Sequence, residues 1–257
     1  MRLPASASPR PSPCKICGEP ASLFGVVDFV KNCEEHRGLK LPLSGYPIYY
    51  RRCSVCEFLF TEYFDDWSTD EFCSHIYNAE YKNIDPDFEN VRPLGNANFL
   101  VGLFGPQAAS LSVLDFGGGN GRFAEALRHA GFLVADTYDP FMPPHDQHPA
   151  RRYNIITCLE TLEHSNDPAN TAAEMIRYLE DDGLIIMSTL LQPAEFDQIG
   201  LSWWYVGPRN GHISLQSQKS LARLWASNGL TVMSLNTNIH FAFRHFPAFA
   251  NGILIIK

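Results

Sequence analysis

Two C-x-x-C pairs, Cys14 with Cys17 and Cys53 with Cys56, can each turn two thiolates toward one metal ion. Four thiolates in a tetrahedron leave no open coordination position, so the chemistry they imply is structural Zn2+ binding. Cys33 and His36 also have metal-ligand spacing and form a competing set in a more polar stretch. A second group follows much later. Asp115 precedes a run in which Gly117, Gly119 and Gly121 allow a tight turn and close backbone approach to a ligand. The run fails the dinucleotide frame, because Arg122 stands where its third glycine would fall. A carboxylate at Asp115 repels a pyrophosphate and suits a cationic amino group. Asp139 ends the next apolar run, where a carboxylate can accept hydrogen bonds from both hydroxyls of a ribose.

These residues need elements to hold them. The pattern predicts strands over 112–116, 132–138, 154–159, 184–190 and 230–236, with a last strand from Gly252 to Ile256. Helices are predicted over 121–129, 168–179 and 217–227, the last two stopped by Asp182-Gly183 and Asn228-Gly229. Strands alternating with helices imply an α/β, Rossmann-like, mostly parallel sheet with helices on both faces. The segment between Asp139 and Tyr153 carries Pro140, Pro143, Pro144 and Pro149 and is too short for a full helix–strand–helix crossover. One outer strand is therefore expected to be reduced or missing. Upstream, residues 1–13 read as a flexible tail, 14–61 as a small zinc-ribbon-like module, and 62–108 as a helical, aromatic-rich linker or cap. Residues 109–257 form the main α/β domain.

With 257 residues, 45% hydrophobic and 19% charged, the chain has globular composition. Its longest apolar stretch is too short to span a bilayer, and the Pro- and Ser-rich start has no signal-peptide core. No membrane association and a cytoplasmic location are the expectations. A net charge of −8 weighs against a nucleic-acid partner and leaves a small-molecule substrate as the expected one.

Three stretches together resemble successive motifs of class I S-adenosylmethionine-dependent methyltransferases. They are Val113 to Arg122, Tyr138 to Pro140, and Tyr153 to His164. The likeness covers roughly residues 95–257 and points to the group that includes ubiquinone-type O-methyltransferases and many sugar methyltransferases. It implies that Asp115 and the glycines hold the methionine end of the cofactor and that Asp139 holds the ribose. Cys158 and Glu160 would line the floor beneath the sulfonium, and Phe141 and Met142 would cover the adenine. It also implies a final antiparallel strand, which Gly252 to Ile256 fits.

The same resemblance singles out His164, just past the strand over 154–159, and His212, in a loop matching the family's substrate loop, as catalytic bases or structural histidines. A pKa near neutrality suits the first role. Trp203, Trp204 and Tyr205 are expected to line an acceptor pocket or to pack as a lid, and Tyr77 and Tyr81 to add a second wall. The function expected is methyl transfer to a small-molecule acceptor, such as a sugar or nucleotide-sugar hydroxyl. An RNA or protein methyltransferase reading its substrate through the zinc module is one alternative, and a non-catalytic scaffold another.

Overall fold

The computed structural model describes residues 10–255; residues 1–9 of the expected tail and Ile256 of the expected last strand lie outside them. The chain opens with four antiparallel strands: β1 (Ser12–Pro13), β2 (Pro20–Asp28), β3 (Pro47–Cys53) and β4 (Leu59–Thr61). Alternation in β3 turns Ile48 and Tyr50 inward and leaves Tyr49 exposed, the period-two pattern of a sheet with one covered face. A 3-10 turn over Cys33–Arg37 lies between β2 and β3.

Three helices follow, α1 (Thr69–His75), α2 (Tyr81–Ile84) and α3 (Val91–Phe104). A capping box starts α1: the Ser68 hydroxyl accepts the Glu71 N–H while the Glu71 carboxylate accepts the Ser68 N–H. Phe72, Tyr81 and Ile84 turn inward and join Ile48, Leu59 and Ile213 in one apolar cluster.

The larger sheet begins with β5 (Ser112–Phe116), whose five residues are all buried, as a central parallel strand requires. It continues with α4 (Arg122–His129), β6 (Val134–Tyr138), β7 (Tyr153–Leu159), α5 (Pro168–Arg177) and β8 (Leu179–Ser188). After α6 (Phe196–Ile199) and the short β9 (Ser214–Leu215) come α7 (Gln218–Ala226), β10 (Thr231–Ser234) and β11 (Ile239–Phe243). The strand order is β10-β11-β8-β7-β5-β6, with β6, β5, β7 and β8 parallel and β11 antiparallel to β8. The sheet ends at β6, and among the described residues no further strand lies beyond it. The short proline-rich segment after Asp139 accounts for that edge.

The antiparallel strand is not where the sequence pattern put it. Asn236 Oδ1 accepts the N–H groups of Asn238 and Ile239, at 2.8 Å each, and this turn sends Ile239–Phe243 back between β8 and β10. With that slot filled, the expected strand at Gly252 instead belongs to a 3-10 segment, Ala248–Ile255, packed so that Phe249 meets Phe104 at 5.9 Å.

A second difference is the place of β9. It pairs antiparallel with β4 and completes the N-terminal sheet, whose order is β1-β2-β3-β4-β9. The sheet carrying the paired cysteines thus contains a strand from the distant C-terminal half.

Candidate active site

A cavity of about 720 Å³ opens at the carboxyl ends of β5, β6 and β7, beneath α1, α2 and the start of α3. Open α/β sheets bind ligands at this end of their strands. The loop after β5 supplies its floor. Gly117 has φ +75°, and a Cβ there would lie 2.4 Å from Thr161, so only glycine fits. Gly118 was not singled out from the sequence. A Cβ on it would lie 2.2 Å from Asp115 Oδ2, so its bare backbone makes room for that carboxylate.

Three carboxylates line the cavity from the tips of three adjacent strands: Asp115, Asp139 and Glu160. Asp115 is buried and accepts a hydrogen bond from the Thr157 hydroxyl at 2.8 Å, and burial pushes its carboxyl up to about 7. Asp139 accepts the Gly119 N–H on Oδ2 at 2.8 Å and the Phe141 N–H on Oδ1 at 2.9 Å. Burial raises its carboxyl, and the two N–H bonds oppose that rise. Glu160 holds a left-handed backbone, φ 52°, uncommon for a residue with a Cβ and costing on the order of 1 kcal/mol. The Ser188 hydroxyl donates to its Oε1 at 2.7 Å. Arg92 faces these carboxylates from α3, held by a bidentate pair with Asp85 at 2.7 and 2.9 Å. Sequence reasoning missed Arg92 because it lies in a segment read only as a helical cap.

The roof is aromatic. Tyr77 and Tyr81 meet edge to face at 5.3 Å, and Phe141 packs 5.6 Å from Tyr77 and 5.7 Å from Phe72. Met142 lines the rim. His164, on a 3-10 turn over Leu162–His164, lines the cavity with Nδ1 3.2 Å from the Tyr77 hydroxyl. Burial, the neighbouring His212 and Arg92 hold it well below the usual histidine range, so its ring is neutral at pH 7.

A family description, "Methyltransferase domain", matches residues 92–235, more than half of the chain. The chain belongs to the methyltransferase-domain family. Among curated proteins, this methyltransferase-domain chain is similar to the ubiquinone biosynthesis O-methyltransferase of Glaesserella parasuis. The two are 28% identical over 121 residues, covering 37% of this chain and 49% of that protein. It is similar to the Salmonella paratyphi A enzyme of that name at 28% over 125 residues, covering 40% and 47% respectively. The chain thus spans about half the length of the curated relatives it matches. Among solved structures, it is similar to the magnesium protoporphyrin IX methyltransferase of Synechocystis at a TM-score of 0.49. That match has 17% identity and covers 72% of this chain and 97% of that one.

Other expected site residues of the methyltransferase-domain chain lie elsewhere. Cys158 is fully buried in the core below the floor and does not line the cavity. His212 sits behind His164, ring centroids 4.9 Å apart, with Nδ1 donating to the Tyr205 carbonyl at 2.9 Å. Burial brings it down to about 4. Trp203, Trp204 and Tyr205 do not line the cavity either. Trp203 packs against Phe196 at 5.7 Å, and Trp204 lies half-exposed beside His36 at 5.1 Å. Their loop is held against the N-terminal sheet, because Lys31 Nζ donates to the carbonyls of Trp203 and Val206 and the Cys33 N–H donates to Asn210 Oδ1. Tyr205 reaches inward all the same, donating its hydroxyl to Glu163 Oε1. Glu163 escaped notice in the sequence. It is fully buried, and burial with the nearby Glu160 charge pushes its carboxyl up to about 8. Glu163, His164 and His212 each bring one possible ligand atom within 4.8 Å of the others.

The four paired cysteines of this chain converge. Cys14 and Cys56 sulfurs lie 3.6 Å apart, and Cys17 lies 3.5 Å from both Cys53 and Cys56. A tetrahedron with Zn–S bonds of about 2.3 Å has edges of about 3.8 Å, so the set fits one zinc ion. Backbone N–H groups of Ile16, Val55 and Cys56 point at the sulfurs, as thiolates require. The competing set does not assemble. Cys33 Sγ lies 3.4 Å from His212 Nδ1, while His36 Nδ1 turns to the Cys33 carbonyl.

Proposed function

We propose that this chain binds S-adenosylmethionine in the cavity and transfers its methyl group to a hydroxyl of a small-molecule acceptor. The charge pattern of the walls carries this reading. Asp115, Asp139 and Glu160 stand at the strand tips with Arg92 facing them, and Asp85, Glu89, Glu174 and Lys82 are also in the lining. This mainly acidic wall complements a ligand with an ammonium, a sulfonium, a ribose diol and one carboxylate. Three carboxylates would repel a pyrophosphate. The relatives named above support the reaction class, and the zinc-compatible cysteines suit a reducing, cytoplasmic compartment.

When bound, the cofactor supplies a methyl group on a positively charged sulfur. Asp139 would hold the ribose, Asp115 the amino group and Arg92 the carboxylate, while Phe141 and Met142 cover the adenine. The aromatic roof excludes water. His164 is the residue we assign as base: neutral and facing the cavity, it takes the acceptor's proton as the oxygen–carbon bond forms and the carbon–sulfur pair returns to sulfur. It gains positive charge as the sulfur loses its own, so the net charge of the site is unchanged. Tyr77 steadies the ring through Nδ1. His212 then has a supporting place behind the base. A sugar hydroxyl remains a fitting acceptor against Tyr77 and Tyr81.

Calorimetric titration of the metal-replete protein with S-adenosylhomocysteine, beside an Asp139→Ala variant, tests this. Micromolar binding that weakens at least about tenfold in the variant is expected, since a hydrogen bond to a charged group contributes roughly 1.5–3 kcal/mol. A folded wild type that does not bind would overturn the reading.

A further inference from the structure

The first cysteine knuckle reaches the cavity through one side chain. Lys15, between Cys14 and Cys17, has a side chain only 12% exposed, and a buried ammonium must be fully partnered. Its Nζ donates to the Thr61 carbonyl at 3.0 Å and the Asn166 carbonyl at 3.0 Å, and pairs with Asp65. Asn166 lies just past the turn that carries His164, and Asp65 just before Trp67; Trp67, His164 and Asn166 all line the cavity. One ammonium therefore ties two pieces of cavity wall to the knuckle. The second knuckle approaches the same turn from behind. Ser217 donates to the Cys56 carbonyl at 2.7 Å, β4 pairs with β9, and Ser214 of β9 donates to the Ser165 carbonyl at 2.5 Å. The Ile213 N–H donates to the Glu163 carbonyl at 2.8 Å. By contrast, the glycine loop and Asp139 hydrogen-bond within the larger sheet and its loops, apart from Asn120, whose side-chain amide donates to the Glu89 carbonyl ahead of α3 at 3.0 Å. None of these bonds reaches a cysteine knuckle.

We propose that Lys15 is a positioning residue for the base: carried by the metal-held knuckle, it fixes the Asn166 carbonyl and with it the His164 turn and the Trp67 wall. The proposal rests on the methyltransferase reading for the meaning of that wall. Its content is that the four-cysteine site serves the acceptor side of the cavity and not the cofactor side. Without the ammonium, the turn loses its tether to the module, and His164 loses its fixed direction toward the acceptor.

The test uses full-length, metal-replete protein and needs no acceptor. Amide hydrogen exchange is followed for wild type, Lys15→Met and Lys15→Arg, with metal content and S-adenosylhomocysteine affinity measured on each. Lys15→Met keeps the apolar stem and removes the charge. Expected is an exchange rate at least about tenfold faster over 162–167 and 62–67, unchanged exchange over 113–121, unchanged metal content, and ligand affinity within about twofold. Lys15→Arg, which keeps the donor, should restore most of the protection. Unchanged exchange over 162–167 in Lys15→Met overturns the proposal. So does equal loosening over 113–121, which would make the knuckle a support for the whole fold. Failure of wild type to bind S-adenosylhomocysteine instead sinks the cofactor reading, whatever Lys15 does.

Discussion

Asp115 and Glu163 are both buried carboxyls with raised pKa, and their consequences for pH run differently. Asp115 titrates at about 7 in the folded protein, so below that pH it must lose a proton before it can face an ammonium. S-adenosylhomocysteine affinity should therefore weaken as pH falls below about 7, by up to about tenfold per unit, and level off above it. Asp115→Asn should lose the slope, and calorimetry across pH 5.5–8.5 reads both. Glu163 holds its proton more tightly folded than unfolded, about 8 against 4.5. Its stabilising contribution is complete below about pH 4.5 and is lost as pH rises through about 8. Urea unfolding should show wild type losing stability relative to Glu163→Gln over that window; parallel curves would mean that Glu163 stays ionised. Asp139, Gly117 and Gly119 were expected from the sequence and line the cavity, because a glycine loop after an apolar strand has few other uses. Gly121, expected with them, does not line it and instead lies against His145, 2.8 Å from where its Cβ would be. Glu163 was not expected, because it acts through Tyr205, far along the chain. Nor was Gly118, because only the folded loop shows that its missing Cβ leaves room for Asp115 and Thr137.

Among the elements, the 203–212 loop follows the packed-lid alternative for its aromatics and does not line the cavity. Consecutive aromatics after a strand suggest a pocket, yet Trp203 is buried on Phe196 and pinned by Lys31, far along the chain. Trp203→Ala should lose about 3–5 kcal/mol of unfolding free energy, with S-adenosylhomocysteine affinity within about twofold of wild type. A large loss of affinity with little loss of stability would place Trp203 in the ligand site instead. Gly118→Ala should do the reverse: its Cβ meets Asp115 at 2.2 Å, so cofactor affinity should fall about tenfold or more while the fold persists. β5, β6, β7, β8 and β10 of the larger sheet were readable from their apolar runs, and the shortened segment after Asp139 foretold the edge at β6. The two-residue β9 carries no periodicity at all, and β11, Ile239–Phe243, went unread because the final antiparallel strand was expected at Gly252 to Ile256.

Across the whole molecule, the zinc-compatible cysteine set and the core are one packed unit. The N-terminal sheet packs Phe58 and Phe60 against the four cysteines, a small cluster for its size. Removing the metal with a strong chelator should lower the thermal midpoint by several degrees and add an early transition to the unfolding profile. A midpoint that does not move would mean that the sulfurs hold no ion. The N-terminal sheet also has a temporal property. Phe60 of β4 waits for Ser214, roughly 150 residues further along the chain, before its free edge is covered. At a synthesis rate of about 5–20 residues per second, that edge stands open on the ribosome for on the order of ten seconds or more. The cysteines, complete by residue 56, can capture their ion during this interval and hold the unfinished sheet in register until its last strand emerges.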